Sequence, residues 1–231
     1  MNPDLTPQAW LPFLLQTADA LFPTGAYAHS LGFEEAVRLG VVRDEATLAD
    51  FLRLQIAPAQ EHQELPYLRF AFEASDLDEL CALDREIDAW KLAAEARDAS
   101  AQLGGRRLAA LRKISAAGEL ADFAGAIAAG RARGHQLIVC ALQARAGGVP
   151  LSAALTTYFY QALAAICAAA LKLIRIGQDA CQRVLRAAVA EVDPLVARSL
   201  AIERRGAGWF NPMLEIAAMR HARADERLFI S

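Results

Sequence analysis

One uncharged stretch decides the fold class: residues 146–171 read AGGVPLSAALTTYFYQALAAICAAAL. Its length would suffice to cross a bilayer. However, Gly147, Gly148 and Pro150 open it, and polar Ser, Thr and Gln side chains interrupt a body made mainly of alanine. Small alanine side chains allow other helices to approach closely from every side. The stretch therefore predicts a central helix buried among other helices, and we expect no membrane span.

The composition of the whole chain supports a helical fold. Its 231 residues include 51 Ala and 32 Leu, together 36%, whereas Val, Ile and Thr make up only 11%. Ala and Leu lose little side-chain freedom in a helix, while β-branched residues favour sheets. A hydrophobic content of 55% excludes a disordered chain. We predict one all-α domain over 1–231, a bundle of about ten helices with a buried Ala-rich central helix and a C-terminal tail at 222–231.

Charge and cysteine content narrow the function classes. The 24 basic and 27 acidic residues give a net charge of −3 without a basic cluster, so we expect no nucleic-acid partner. The four cysteines form no C-x-x-C motif, which is typical of reduced thiols in a cytoplasmic protein core. They are Cys81, Cys140, Cys167 and Cys181. Because no positively charged segment precedes an apolar run at the N-terminus, no secretory signal is predicted and a cytoplasmic location is expected.

Several helix starts can be predicted from capping residues. A polar residue stands directly before a proline at Thr6-Pro7, Asp193-Pro194 and Asn211-Pro212, and Ser75 is a further candidate start. More helices are predicted near 28–39, 46–57, 62–74, 106–116, 119–145, 152–175 and 178–191. Short turns that contain Gly or Pro separate them.

The helix after Ser75 is predicted to have two faces. Its core face recurs at spacings of three and four and consists of Leu80, Leu83, Ile87, Trp90 and Ala94. Its predicted solvent face consists of Asp84, Asp88, Lys91 and Glu95.

No local motif indicates an enzyme. The histidines lie far apart in the sequence, at His29, His62, His135 and His221. We found no HExxH motif, nucleophile elbow, Walker A loop or dinucleotide-binding turn. Gly104-Gly105 before Arg106-Arg107 is interpreted as a helix break followed by a solvated face rather than as a phosphate site. We therefore predict no catalytic, cofactor-binding or metal-binding residue.

Two segments depart from a purely structural pattern. Residues 22–34 combine a Pro/Gly turn with polar and aromatic side chains, and Ser30 can hydrogen-bond the local backbone. A functional interpretation is that Tyr27, His29 and Glu34 form an outward ridge that contacts another protein. A turn with a purely structural role remains the alternative.

The C-terminal tail is the second such segment. Leu228, Phe229 and Ile230 follow a charged helix and must pack either on this chain or on a partner that orders the tail. In the second case, the planar guanidinium of Arg227 would donate hydrogen bonds across the interface.

These segments resemble the motifs of a known family. The matching segments are Pro23 to Glu34, residues 95–104, Lys172 to Gln178, and a tail that consists of Pro212 to His221 and then Arg227 to Ser231. In this order they are similar to the motifs of the urease accessory protein UreF family, although Phe33 stands where Leu is usual and Arg175 where Pro is usual. The four matches extend over nearly the whole chain.

The resemblance implies an all-helical protein without catalytic activity or a resident cofactor. Members pair as homodimers, bind UreD (also called UreH) and recruit and regulate the GTPase UreG, so that nickel reaches apo-urease. By position, Tyr27 and Arg227 would organise the dimer and the UreD-facing tail, whereas Glu34 and Lys172 would meet UreG. The complete set of predicted partner-binding residues is Tyr27, His29, Ser30, Glu34, Lys172, Gln178, Arg227, Leu228, Phe229 and Ser231.

Two other functions remain open at this stage. One is a helical enzyme whose His29, Glu34, His135 and His221 converge in a pocket. The other is a nickel carrier, for which we expect weak or absent binding because the sequence has no cluster of soft or imidazole ligands.

Overall fold

The computed structural model of the chain describes residues 9–24, 32–221 and 228–229. Of these residues 76% are helical and none forms a strand, which confirms the all-α prediction. The α-helices are α1 (Trp10–Ala18), α2 (Phe33–Arg38), α3 (Glu45–Phe51), α4 (Ala57–Ala59), α5 (Leu65–Glu73), α6 (Leu77–Trp90), α7 (Ala94–Ile114), α8 (Gly118–Ala128), α9 (Gln136–Ala146), α10 (Leu151–Leu173), α11 (Gln178–Ala190), α12 (Val192–Ser199) and α13 (Pro212–His221). A 3₁₀ turn, Arg204–Gly206, precedes α13.

The uncharged stretch forms α10, the central helix of the bundle. It packs against α2, α5, α9, α11 and α12. Its buried side chains include Leu155, Phe159, Leu163 and Ile166. Among the described helices, α10 is the one long and apolar enough to cross a membrane by length and composition. Its packing inside the bundle agrees with the predicted role as a core helix.

Helices α3, α4 and α5 form one continuous helical run, whereas the sequence predicted two separate helices. Two π-helical segments, Leu52–Ile56 and Gln60–Glu64, join them. Each segment ends two residues before a proline, Pro58 or Pro66. Proline removes a helical N–H donor and crowds the preceding turn, and a wider π turn accommodates that change without ending the helix.

The predicted break at Gly104-Gly105 is wrong, because α7 continues through both glycines. A Cβ atom on Gly104 would lie 2.0 Å from the carbonyl oxygen of Gly134, so glycine is needed there for close approach of the chain before α9. A Cβ on Gly105 would meet no atom within 4 Å. The solvated face predicted after the glycines is also wrong at Arg107, whose side chain is buried.

The predicted helix at 119–145 is two helices, α8 and α9, and the start of α9 explains a second error. Asp84 was predicted to face solvent, but its carboxylate is fully buried. It accepts hydrogen bonds from the backbone N–H groups of Arg133, Gly134 and His135, at 2.5, 3.2 and 2.7 Å. A carboxylate at this position satisfies backbone donors and interacts favourably with the helix dipole.

Among the predicted helix starts, one is confirmed and two are wrong. The cap at Asn211 is confirmed, since its Oδ1 accepts the N–H groups of Met213 and Leu214 at 3.1 and 3.2 Å. Asp76, rather than Ser75, caps α6. The start at Asp193-Pro194 is wrong, because α12 already begins at Val192. Thr6-Pro7 lies outside the described residues. The four cysteines are buried and free, as predicted for thiols in the core.

Candidate functional site

Glu34 lies at the start of α2 and holds the C-terminal end of the chain. Its carboxylate accepts the backbone N–H groups of Leu228 and Phe229 at 2.8 and 3.1 Å. The turn before α2 brings it there: Gly32 has φ +80°, a backbone conformation that glycine adopts without strain. A Cβ on Gly32 would also lie only 3.4 Å from the Cβ of Ala217, so glycine lets α2 approach α13 closely.

His221, at the end of α13, lies between two carboxylates. Its Nε2 is 3.0 Å from Glu34 Oε2, and its Nδ1 is 3.2 Å from Glu95 Oε2. The imidazole is almost completely buried. Although burial acts to raise the pKa of Glu34, the hydrogen bonds from the Leu228 N–H, His221 and the Phe229 N–H hold this pKa below its ordinary value. Glu34 therefore holds the tail as a carboxylate.

The aromatic ring of Phe229 anchors the tail. It is buried and belongs to the main hydrophobic core. Lys172, at the end of α10, places its Nζ 5.5 Å from the ring centroid, within the range of a cation–π interaction. The side chain of Leu228 points outward instead and is 72% exposed. We call the cluster of Glu34, Lys172, His221 and Phe229 the tail-docking site.

A second carboxylate supports the position of α2. Glu35 is buried and forms ion pairs with Arg38 at 2.5 Å and with Arg220 of α13 at 2.7 Å. The hydrogen bond from Arg38 lowers the pKa of Glu35, and the bond from Arg220 adds to this against the opposing effect of burial. Because Arg220 precedes His221, the two neighbouring acids of α2 are both tied to the end of α13.

The structure brings together some of the residues predicted from the sequence. Glu34, Lys172 and Phe229 meet in the tail-docking site, beside Leu228. Gln178 is the first residue of α11 and is exposed. The other predicted residues, Tyr27, His29, Ser30, Arg227 and Ser231, lie outside the described residues.

The outward position predicted for Glu34 is wrong, because its side chain is only 13% exposed. The sequence suggested an exposed ridge because residues 22–34 contain several polar groups. The carboxylate turns inward since the tail and α13 supply N–H donors from distant parts of the chain. Its predicted contact with another protein stays a prediction.

The pocket of the alternative enzyme forms only in part. Glu34 and His221 are in contact, whereas His135 is buried in another part of the bundle with its Nε2 3.2 Å from Asp88 Oδ1. His29 lies outside the described residues. Within the described ranges, no group of three or more His, Cys, Asp or Glu side chains could hold a metal ion. The two carboxylates at His221 lie on opposite ring nitrogens, so they do not converge on one point.

The prediction that Lys91 and Glu95 face solvent is wrong, since each side chain is only 14% exposed. His221 was predicted as part of the alternative enzyme pocket, but its contact with Glu95 was not. Both lie in segments that resemble family motifs, but nothing in their local pattern indicates that α7 and α13 meet. The Asn211-Pro212 start of α13 is the part of the sequence that could have indicated His221 at the end of a helix.

Comparison with known proteins decides the family. The family model named UreF matches residues 42–189. The chain belongs to the urease accessory protein UreF family. It is 39% identical over 221 residues to the urease accessory protein UreF of Paenarthrobacter aurescens (strain TC1), covering 94% of this chain and 96% of that relative. It is 37% identical to that of Arthrobacter sp. (strain FB24), with the same coverage of both chains. Identity to the relative from Haemophilus influenzae (strain ATCC 51907 / DSM 11121 / KW20 / Rd) is 31%, covering 94% of each chain.

The tail-docking site combines one residue inside the segment that the UreF model matches with three residues outside it. Lys172 lies within residues 42–189, as does Glu95 beside the site, whereas Glu34, His221 and Phe229 lie outside that segment. The relatives align over almost their whole length, so membership of the UreF family applies to the chain as a whole.

Proposed function

We propose that the chain is a cytoplasmic, non-catalytic scaffold of urease maturation. In this proposal it forms a homodimer, binds UreD (UreH), and recruits and regulates the GTPase UreG while nickel is inserted into apo-urease. The observation that carries the proposal, beside family membership, is the docking of the C-terminal end against Glu34 and Lys172. We expect no nucleic acid, membrane or resident cofactor to take part.

Exposed apolar side chains support a protein partner for the tail. Leu228 projects into solvent beside the buried Phe229. Helix α13, which carries His221, also exposes Ile216 and Met219. Exposed large apolar side chains favour protein–protein contact. We therefore propose Leu228 as a contact with UreD and Phe229 as the anchor that positions it.

Lys172 and Gln178 are the clearest candidates for the contact with UreG. Both are exposed, and they lie at the end of α10 and the start of α11. Glu34 is less suitable as a test, since its removal also takes away the acceptor for the tail N–H groups. Gln178→Ala changes the proposed UreG surface without touching a contact of the tail-docking site.

The contacts of His221 with Glu34 and Glu95 support a non-catalytic role. Both of its ring nitrogens face carboxylates that the fold itself supplies. A general base needs a nitrogen that can reach a substrate proton. The Glu34–His221 pair is therefore better suited to holding the tail than to turnover.

A pull-down with purified UreD and UreG tests the proposal. The wild-type chain should retain both proteins. Leu228→Ala should reduce retention of UreD at least tenfold while melting temperature changes little, because an exposed leucine contributes mainly to the interface. Gln178→Ala and Lys172→Ala should both reduce UreG retention. Gln178→Ala should leave UreD retention intact, whereas Lys172→Ala also removes the cation over Phe229 and should lower UreD retention as well.

Matched variants control for general surface changes. Leu54→Ala removes another exposed leucine, and Lys113→Ala removes another exposed lysine. Both should retain UreD and UreG at the wild-type level. A folded wild-type chain that retains neither protein would contradict the proposal, as would equal losses in the control and test variants.

A further inference from the structure

Arg107 is a buried arginine whose hydrogen-bond partners among the described residues are uncharged. Its side chain is 3% exposed. One terminal nitrogen donates to Gln143 Oε1 at 2.6 Å and to the carbonyl oxygen of Thr17 at 3.4 Å. The guanidinium carbon lies 5.8 Å from the ring centroid of Phe22. Its Nε is buried and has no hydrogen-bond partner in the described part of the chain.

The charge of Arg107 has no directly paired carboxylate in the part of the chain that the structure describes. A buried ion is costly unless an opposite charge or a set of strong hydrogen bonds compensates for it. Among the described residues, no Asp or Glu forms an ion pair with Arg107. Glu64 and Arg107 both influence the pKa of Tyr158, Glu64 raising it and Arg107 lowering it. Glu64, however, forms its ion pair with Lys91, at 3.3 Å. Glu64 therefore makes no direct ion pair with Arg107.

A cavity of about 20 Å³ lies beside Arg107. Its polar lining includes Arg107, Gln143, Thr157, Tyr158 and Gln161, and no described residue of the lining carries a carboxylate. Leucine and alanine side chains form much of the remaining wall. A space of this size holds about one water molecule or one monoatomic ion. Polyatomic anions such as sulfate or phosphate are too large for it.

The side chains around the cavity can donate hydrogen bonds to an anion. Arg107 has its free Nε–H, Thr157 has a hydroxyl, and Gln161 has a second amide hydrogen beside the one donated to the Ala18 carbonyl oxygen at 2.9 Å. Tyr158 donates its hydroxyl hydrogen to Glu64 at 2.6 Å, so this donor is already used. A water molecule would satisfy Nε–H but would leave the charge uncompensated.

We propose that this cavity is a halide site in which one chloride ion binds against Arg107. The ion places a negative charge directly against Arg107 at the point where α1, α7, α9 and α10 meet. Because such an ion binds the folded chain and has no site in the unfolded one, it raises the free energy of unfolding as its concentration rises. This site is independent of the proposed partner contacts.

Thermal unfolding at constant ionic strength and sodium concentration tests the proposal. Sodium chloride replaces sodium gluconate stepwise, with sodium bromide as a second halide. The melting temperature of the wild type should rise with chloride and bromide, by about 2–5 °C per tenfold increase above half-saturation. An equal melting temperature in chloride and gluconate would overturn the proposal.

Two variants separate the site from a general salt effect. Arg107→Gln removes the buried charge and should abolish the chloride-dependent rise, whereas Arg106→Gln removes an exposed charge on the same helix and should keep it. If Arg107→Gln fails to fold, Ala154→Val supplies the second test, because Ala154 lines the cavity and a larger side chain fills it. Retention of the full rise in Ala154→Val would contradict the proposal.

Crystals soaked in sodium bromide locate the ion directly. An anomalous peak between Arg107 and Gln161 is expected. Its absence, with water density in its place, would show that the cavity binds solvent only and that the proposal is wrong.

Discussion

The carboxylate of Glu34 accepts the backbone N–H of Phe229 at 3.1 Å, although 195 residues separate them in sequence. The same carboxylate contacts His221 and the N–H of Leu228. Through this residue, the segment with a Pro/Gly turn and the C-terminal tail form one site. The two parts of the sequence that departed from a purely structural pattern are therefore neighbours in the folded chain.

Removing the Glu34 carboxylate should release the tail. In Glu34→Ala, two backbone N–H groups and His221 lose an acceptor, and we expect the free energy of unfolding to fall by about 1–3 kcal/mol. Hydrogen–deuterium exchange at Leu228 and Phe229 should accelerate at least tenfold. Glu45→Ala serves as the control, since Glu45 pairs with Arg183 at the surface and such pairs contribute about 0–1 kcal/mol. Unchanged protection of the tail amides in Glu34→Ala would contradict the assigned contact.

Asp84 should be essential for the start of α9. Asp84→Asn replaces a buried carboxylate that accepts three backbone N–H groups with an amide that turns one donor toward them. We expect a loss of about 2–3 kcal/mol in the free energy of unfolding, measured by urea titration and circular dichroism. Asp122→Asn, at an exposed position of α8, should change it by less than about 0.5 kcal/mol. Equal values for the two variants would argue against a special role for Asp84.

Two neighbouring glycines should respond in opposite directions to alanine. Gly104→Ala places a methyl group 2.0 Å from a backbone oxygen and should destabilise the chain by more than about 2 kcal/mol. Gly105→Ala meets no atom within 4 Å inside the same helix and should stabilise it by about 0.5–1 kcal/mol. Thermal melts of both variants measure the difference. The close contact between α7 and the chain before α9 would be refuted if Gly104→Ala were as stable as Gly105→Ala.

His135 should make the fold sensitive to mild acid. Burial lowers its pKa below the ordinary value of 6.5, although Asp84 and Asp88 act in the opposite direction. As the pH falls through 6.5, the unfolded chain takes up a proton at this residue before the folded chain does. The contribution of His135 to stability is therefore complete above pH 6.5 and decreases below it.

Urea unfolding at pH 7.5 and pH 5.5 measures this effect. The wild type should lose more free energy of unfolding between the two values than His135→Gln, which cannot titrate at this position. The free energy of unfolding of each protein at pH 5.5 is compared with its own value at pH 7.5, so a lower overall stability of the variant does not affect the result. The same loss in both proteins would exclude His135 as the source.

Much of the fold could be predicted from the sequence, because its evidence is local. The Ala-rich stretch of α10 and the Asn211 cap of α13 depend on side chains within a few residues of each other. Errors arose where a distant segment changed the environment of a residue. Asp84 has the spacing of a solvent-facing position, but the chain before α9 covers it. The Gly104-Gly105 pair is typical of a helix break, but Gly104 instead leaves room for the backbone of Gly134.

The candidate site could be predicted only in part for the same reason. The motifs indicated Glu34, Lys172 and Phe229 separately, and nothing in the sequence indicated that they touch. Arg107 was assigned to the surface because arginine is rarely buried.

By itself, the sequence determined the helical class, the central apolar helix and the family, since these follow from composition, periodicity and ordered motifs along the chain. Tertiary structure alone decided which charged and polar side chains lie inside, Glu35, Asp84, Arg107 and His221 among them. The physical reason is that burial of a charge depends on donors and acceptors brought from distant helices, and their positions exist only after the bundle has packed.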